Sequence, residues 1–331
     1  MTNRTIPEAA MSRTRLSAWL VVAVAALGLL LVTACSQQKT LTVAVHPWVG
    51  YEALYLARDL KWLPDTIQLS DSKTLDESLA ALKSGQADAA CMTLDEMLRA
   101  RADGIPLSAA LVFDVSAGAD AVMARPEIKR LSDLAHKRIG YDRNALGAMV
   151  FEKLLEAAKL SASDVIQVDL PPARQLEAWK RKEVDAVITY EPMVTAFLRE
   201  GAHSLFDSRQ MPDAIIDVLA VRRDRPGIAP LLQTLAAAHF RALEHMHTNE
   251  QDALYRIATR EEVSPEDARR MLAGVTLPSL VANRAYLGGS DARLLRAAKA
   301  LSELMARRGL LAREDDLKEF FMPGILPGEE R

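Results

Sequence analysis

A repeated pattern of residue types limits the fold of this chain more than any other feature. Residues 79–93 and 176–190 align without a gap. Each reads as the end of a helix, a polar turn, an Asp-Ala pair and an apolar run typical of a buried strand. Upstream, residues 66–69 match residues 165–168, and residues 41–45 match residues 137–141. Matches in this order predict two β-α-β-α-β units, each with right-handed crossovers and a parallel sheet. The predicted fold class is therefore α/β, with two lobes.

The first unit opens with a segment that places a loop at the edge of its sheet. Residues 41–45 are apolar and partly β-branched, which suits a buried strand, and His46-Pro47-Trp48-Val49-Gly50 ends it before a helical pattern that starts near Leu54. Open α/β sheets bind ligands at this carboxyl edge, so equivalent edges of two lobes are expected to face each other across a cleft. The residues predicted to bind a ligand there are Trp48, Tyr51, Thr93, Asp95, Asp114, Ser116, Tyr141, Asn144, Gly147, Tyr190, Glu191 and Asp217.

Two short extended segments are predicted to carry the chain between the lobes. They are residues 119–124 and 217–221, each with a carboxylate at or near one end. A double crossing makes a hinge, because a few residues absorb the rotation that closes a cleft. The predicted domains are the first part of lobe 1 at 41–122, lobe 2 at 123–216, and a mainly helical completion of lobe 1 at 217–331.

The N-terminal residues have the pattern of an export signal. Arg13 and Arg15 precede an apolar run over residues 18–34, and the small residues before Cys35 resemble the cleavage site of a lipoprotein signal. We predict a signal peptide at 1–34, lipidation of Cys35 and a tether at 35–40. The protein is then exported and anchored at the periplasmic face of a bacterial membrane, or at the outer face of a Gram-positive cell. The alternative is an uncleaved anchor helix, because about 17 apolar residues lie at the lower limit for spanning a bilayer.

Charge and motifs point away from nucleic acid and from catalysis. The formal net charge is −3, which offers no general basic surface for nucleic acid. The sequence contains no Gly-x-Ser-x-Gly elbow, no phosphate-binding glycine loop and no cysteine with a suitable catalytic partner. His245 and His247 would point about 200° apart on a helix, which argues against a metal site there. We predict no catalytic residue, no metal site and no cofactor.

Several of these segments resemble one protein family in their order and spacing. They are Pro47-Trp48-Val49-Gly50-Tyr51-Glu52 with the helix start that follows, the turn and strand at 85–90, residues 131–134 before 137–140, and Tyr190-Glu191-Pro192. Over residues 41–222 the chain resembles the solute-binding proteins of ABC importers, in the nitrate/sulfonate/taurine and thiamine-pyrimidine-precursor group. The resemblance implies a class II periplasmic-binding fold and a monomer that captures a small molecule and delivers it to a membrane permease with its ATPase.

The residues of the predicted cleft favour one class of ligand and leave others open. Aromatic side chains occur together with several acids, which disfavour an anion, so we expect a pyrimidine-like or amine-bearing ligand stacked on aromatic rings. Alternatively, the free N–H groups of a helix that begins after Asp142-Arg143-Asn144 bind an oxyanion such as a sulfonate, nitrate or bicarbonate. His46 is either a ligand contact or a structural residue. Two alternatives of another class are a pyrimidine-synthase-like enzyme, whose family carries a cysteine-rich motif that this chain lacks, and a sensory ligand-binding protein.

Overall fold

The structure is a computed structural model that describes residues 39–289 and 292–328. The predicted signal peptide and the lipidation site Cys35 lie outside the described residues. The strands are β1 (Leu41–Val45), β2 (Ile67–Asp71), β3 (Ala89–Thr93), β4 (Leu107–Ser116), β5 (Asp120–Ala124), β6 (Arg138–Tyr141), β7 (Ile166–Asp169), β8 (Ala186–Tyr190), β9 (His203–Asp207), β10 (Ile216–Arg222) and β11 (Val275–Thr276). The helices are α1 (Glu52–Asp59), α2 (Leu75–Ser84), α3 (Leu94–Ala102), α4 (Ala145–Ala158), α5 (Pro172–Lys180), α6 (Met193–Arg199), α7 (Ala229–Thr248), α8 (Glu250–Arg260), α9 (Pro265–Leu272), α10 (Leu280–Leu287) and α11 (Arg293–Arg307). Within the described ranges, no helix has both the length and the apolar character that crossing a membrane requires.

The strands form two sheets of related topology. The first sheet has the order β11-β4-β10-β3-β1-β2 and the second has the order β7-β6-β8-β5-β9. In the first, β1 pairs in parallel with β2 and β3; in the second, β6 pairs in parallel with β7 and β8. The two β-α-β-α-β units predicted from the repeat are therefore present, and each is extended by antiparallel strands.

The chain passes between the sheets at places other than those predicted. It leaves the first sheet after β4 and enters the second at β5, through residues 117–119, and it returns between β9 and β10. The predicted passages 119–124 and 217–221 are extended, but they lie mostly within β5 and β10, just after the two crossings, and the predicted boundaries at 122/123 and 216/217 fall inside these strands. The physical reason is that both runs are apolar and buried, and each pairs with a strand on either side.

One aspartate has the same role in both units. Asp88 accepts a hydrogen bond from the backbone N–H of Thr42 at 2.9 Å, and Asp185 accepts one from the backbone N–H of Arg138 at 2.9 Å. In each unit the carboxylate just before the third strand thus holds the start of the first strand. The Asp-Ala pair of the repeat is therefore part of the scaffold.

The C-terminal helices pack on the first lobe, which we define by the first sheet. α7 lies against α1, and the side chain of Asn283 on α10 bonds to the backbone N–H and C=O of Val112 in β4, at 2.8 and 3.0 Å. β11 extends the first sheet beside β4. Beyond α11, Met322 donates its backbone N–H to the carbonyl of Ala109 at 3.0 Å. These contacts leave the carboxyl ends of β1, β2 and β3 facing the second sheet, which defines the second lobe.

Candidate functional site

A cavity of about 470 Å³ lies between the two lobes, a volume typical of small-molecule sites. The first lobe lines it with His46, Pro47, Trp48, Lys73, Thr74, Leu75, Asp76, Thr93, Glu96 and Asp217. The second lobe and the returning segment line it with Asp120, Asp142, Asn144, Leu146, Pro171, Pro172, Ala173, Tyr190, Pro192, Met193 and Ile215. The cavity therefore collects the loops that follow equivalent strands of the two units.

The floor of the cavity is built at three neighbouring strand ends. β10 runs antiparallel between β3 and β4, and its Asp217 lies opposite Thr93 on one side and Asp114 on the other. Residues directly opposite each other in a sheet project to the same face. Tyr51 donates its hydroxyl to Asp217, and Trp48 donates its indole N–H to Asp114 Oδ2 at 2.9 Å. Tyr51 and Asp114 thus lie behind the cavity floor. Tyr51 holds Asp217 in place, and Asp114 holds Trp48.

Two aromatic side chains from different lobes meet at the wall of the cavity. The rings of Trp48 and Tyr190 have centroids 6.0 Å apart and planes at 73°. Trp48 reaches this position because the chain passes close to Asp114 at Gly50, where a Cβ atom would lie 1.8 Å from Asp114 Oδ2. The pair offers apolar ring surface to a flat ligand and contributes one ring from each lobe.

Five of the twelve predicted binding residues line the cavity: Trp48, Thr93, Asn144, Tyr190 and Asp217. Tyr51, Asp95 and Asp114 are buried next to its floor and do not line it.

The remaining four predicted residues do not line the cavity, and each has a bonding partner elsewhere in the protein. Ser116 bonds to the hydroxyl of Ser208 at 2.7 Å, and Tyr141 stacks on Phe151 and donates its hydroxyl to Gln167 at 2.8 Å. Gly147 donates its N–H to the side chain of Asn144 at 2.8 Å, and Glu191 accepts the backbone N–H of Thr195 at 3.0 Å. The last two contacts cap the N-termini of α4 and α6.

Sequence reasoning missed most of the side chains that follow the second strand of each unit. Thr74 and Leu75 come after β2, and Pro171 and Pro172 come after β7. The repeat contained the signal for them, because β2 and β7 occupy equivalent positions in the two sheets. Glu96 and Asp142 had no such signal, since their orientation depends on how each helix begins.

Burial raises the pKa of every carboxyl group at the floor. The pKa of Glu96 and that of Asp114 rise to about 8, that of Asp120 rises to about 7 and that of Asp95 rises to about 6. Burial and the neighbouring Asp114 together raise the pKa of Asp217 well above its usual value. Asp114 Oδ1, Asp120 Oδ2 and Asp217 Oδ2 have no hydrogen-bond partner in the described structure. Lys73, exposed at the rim, is the single lysine or arginine among the lining residues.

The neighbouring histidine supplies no positive charge to balance these acids. Burial lowers the pKa of His46 to about 4, so its imidazole is neutral at pH 7. Among the described residues, no group of three or more His, Cys, Asp or Glu side chains is arranged to hold a metal ion. The site is thus a partly apolar cavity with aromatic walls and a buried acidic floor.

Two α/β lobes joined by two crossings around a cleft define the class II fold of periplasmic solute-binding proteins. The chain belongs to the family described as NMT1/THI5 like, whose model matches residues 67–248. This confirms the resemblance seen in the sequence. Comparison with curated protein sequences found no match.

Solved structures show the same fold. The periplasmic aliphatic sulphonate-binding protein SsuA from Escherichia coli has a TM-score of 0.71 at 18% identity, over 88% of this chain and 99% of its own. The alkanesulfonate-binding protein SsuA from Xanthomonas axonopodis pv. citri, bound to MOPS, has a TM-score of 0.67 at 19% identity, over 84% and 96%. The desulfurization enzyme DSZB has a TM-score of 0.64 at 19% identity, over 87% and 98%. The predicted fold class is confirmed, but binding proteins and an enzyme share it, so the function must be argued from the site.

Proposed function

We propose that this protein is the exported, lipid-anchored solute-binding component of an ABC importer. It works as a monomer that captures a small organic solute between its lobes and presents it to a permease and its ATPase. The solute carries a positively charged or hydrogen-bond-donating nitrogen, such as an amine or aminopyrimidine, on a flat body. Its mechanism is differential affinity for the closed arrangement of the lobes, without covalent chemistry.

The observation that carries this proposal is the pairing of an acidic floor with an aromatic wall. The unpartnered oxygens of Asp120 and Asp217 are buried acceptors that line the cavity. Buried acceptors without partners are costly, so a ligand that donates hydrogen bonds to them gains affinity that an isostere lacking donors does not. The rings of Trp48 and Tyr190 supply the stacking surface for the body of such a ligand.

An anion is the weaker candidate for this cleft. The N-terminus of α4 is the predicted oxyanion site, but the Asn144 side chain already accepts the N–H of Gly147 there. A sulfonate or nitrate also has no proton to donate to the unpartnered oxygens of Asp120 and Asp217, and any carboxylate of the floor that ionises would repel it.

A catalytic role has less support than binding. Cys91, the free cysteine of the described residues, is fully buried, and burial raises the pKa of its thiol well above the usual value. A buried thiol with a raised pKa is a poor nucleophile. The floor acids therefore serve recognition in this proposal.

Ligand screening by thermal unfolding tests the proposed function. We expect an amine or aminopyrimidine at a hundred times its dissociation constant to stabilise the full-length protein in detergent by about 2.7 kcal/mol. Methanesulfonate, nitrate and bicarbonate serve as the anionic set. Stabilisation by that set alone would contradict the proposed ligand class. For the anchor, labelled palmitate should enter the wild-type protein in cells and not the Cys35→Ala variant.

A further inference from the structure

We propose that the cleft exchanges protons for the charge of its ligand: Glu96, Asp120 and Asp217 hold protons in the ligand-free protein, and an entering cation displaces them. This inference rests on the proposed function, because it concerns the same cleft and ligand class. In each exchange the O–H bond of a carboxyl group breaks, its electron pair stays on the carboxylate, and the proton passes to solvent. Capture of a cation then releases protons.

The geometry around the three carboxyl groups supports the exchange. Glu96 is 6% exposed, Asp120 4% and Asp217 1%, and all three line the cavity. Asp120 Oδ2 and Asp217 Oδ2 have no hydrogen-bond partner in the described structure. Several carboxylates in one water-poor site repel each other, so they ionise together only if a positive charge joins them.

The groups that face this cluster from the surrounding elements do not supply that charge. The acidic and weakly acidic ones are Asp95 on α3, Asp114 on β4, Cys91 on β3, Tyr51 before α1, Tyr190 on β8, Asp142 before α4 and Asp76 on α2. The basic ones are Lys73 and Arg99, both exposed, and His46, whose pKa burial lowers to about 4. A bound cation is therefore the partner that lets the cluster ionise.

The direction of the pH effects follows from the raised pKa values. Burial raises the pKa of Glu96 to about 8 and that of Asp120 to about 7, so these two groups hold more protons in the folded protein than in the unfolded chain at pH 5 to 7. The contribution of these two groups to the stability of the ligand-free protein is therefore lost as the pH rises from the unfolded pKa values through these folded ones. Binding of a cation must tighten over the same interval, by about tenfold per pH unit for each proton released.

The probe is benzamidinium, a flat cation whose own charge does not change between pH 6 and pH 9. Its binding to the full-length protein in detergent is measured by calorimetry at pH 6.5 and pH 8.5, in two buffers of different ionisation enthalpy. The heat difference between buffers counts the protons released. Unfolding of the ligand-free protein is followed over the same pH range. The variants are Asp120→Asn and Asp217→Asn, with Asp65→Asn, an exposed acid outside the cleft, as the control.

We expect wild type and Asp65→Asn to release at least half a proton per bound cation, and to bind it at least tenfold more tightly at pH 8.5. We expect Asp120→Asn to release fewer protons and to lose less stability as the pH rises; Asp217→Asn should do the same if it folds. Benzamidinium binding without proton release and with equal affinity at both pH values would overturn the exchange and leave the proposed function intact. If benzamidinium and every amine of the screen fail to bind, the proposed function fails and this inference fails with it.

Discussion

In the first repeat unit, the first turn of the helix after the third strand contains an acid that lines the cleft. Glu96 accepts the backbone N–H of Thr93 at 2.9 Å while it lines the cavity floor. In the second unit, Glu191 stands before the corresponding helix, but its carboxylate turns toward that helix and accepts both the N–H and the hydroxyl of Thr195, at 3.0 and 2.9 Å. Both carboxylates cap a helix, and only the first also faces the ligand space.

The comparison separates scaffold from site. Asp88 and Asp185 perform the same task in the two units, and so do the parallel strand pairs around β1 and β6. The lobes differ at their strand ends. The first contributes Glu96 and Asp217 to the floor, whereas the second contributes a tyrosine, prolines and Asp120. Four predictions test this division, from the largest effect to the smallest.

The shared aspartate is more deeply buried in the first unit, so its loss is expected to cost more there. The side chain of Asp88 is 4% exposed and that of Asp185 is 22% exposed. Asp88→Ala leaves the N–H of Thr42 without its partner and should lower the free energy of unfolding by about 3 kcal/mol, against about 1.5 kcal/mol for Asp185→Ala. Urea denaturation measures both. Equal losses would show that the aspartate contributes equally to stability in the two lobes, despite its different burial.

The acid sensitivity of the fold is expected to come from the first lobe. His239 on α7 is fully buried beside Phe113, and burial lowers its pKa to about 3 from 6.5. The unfolded chain therefore binds a proton that the folded protein excludes, and the contribution of His239 to stability falls as the pH drops below 6.5, opposite in sign to that of the floor carboxyl groups. The loss should reach about 2 kcal/mol at pH 5. His239→Phe should reduce this loss in urea titrations, whereas the exposed His247→Phe should retain it.

Loss of the aromatic wall should lower ligand affinity, whereas loss of the α6 cap should lower stability. Trp48→Ala removes a ring of the cavity wall and should weaken ligand binding by about 2 kcal/mol, or about 30-fold. Glu191→Ala removes the cap of α6 and should lower stability by about 1 kcal/mol with unchanged affinity. Calorimetry with a ligand from the screen and urea denaturation measure the two quantities. A loss of affinity in Glu191→Ala alone would place the ligand on the other side of β8.

The smallest effect concerns the turn that precedes the third strand. Gly85 has φ +76°, and the aligned residue of the second unit, Lys182, has φ +58°. A side chain at positive φ costs about 1 kcal/mol, part of which glycine loses again to its greater freedom in the unfolded chain. Lys182→Gly should therefore raise stability by about 0.5 kcal/mol, and Gly85→Ala should lower it by about the same amount. Matched urea curves test the pair, and a destabilised Lys182→Gly would mean that the lysine side chain contributes packing that the glycine lacks.

The sequence by itself determined the two units and the edge at which the cleft lies, because local patterns set strands and turns. The spacing of apolar residues, the Asp-Ala pairs and the break at 46–50 are all local features. Only the tertiary structure decided which side chains line the cavity. Asp217 reaches the floor because β10 inserts between β3 and β4, and Tyr51 and Asp114 lie behind that floor because Asp217 and Trp48 bind them. The charge of the site was decided in the same way. The pKa of a carboxyl group depends on its burial and on neighbours from distant parts of the chain, and a local stretch of sequence specifies neither.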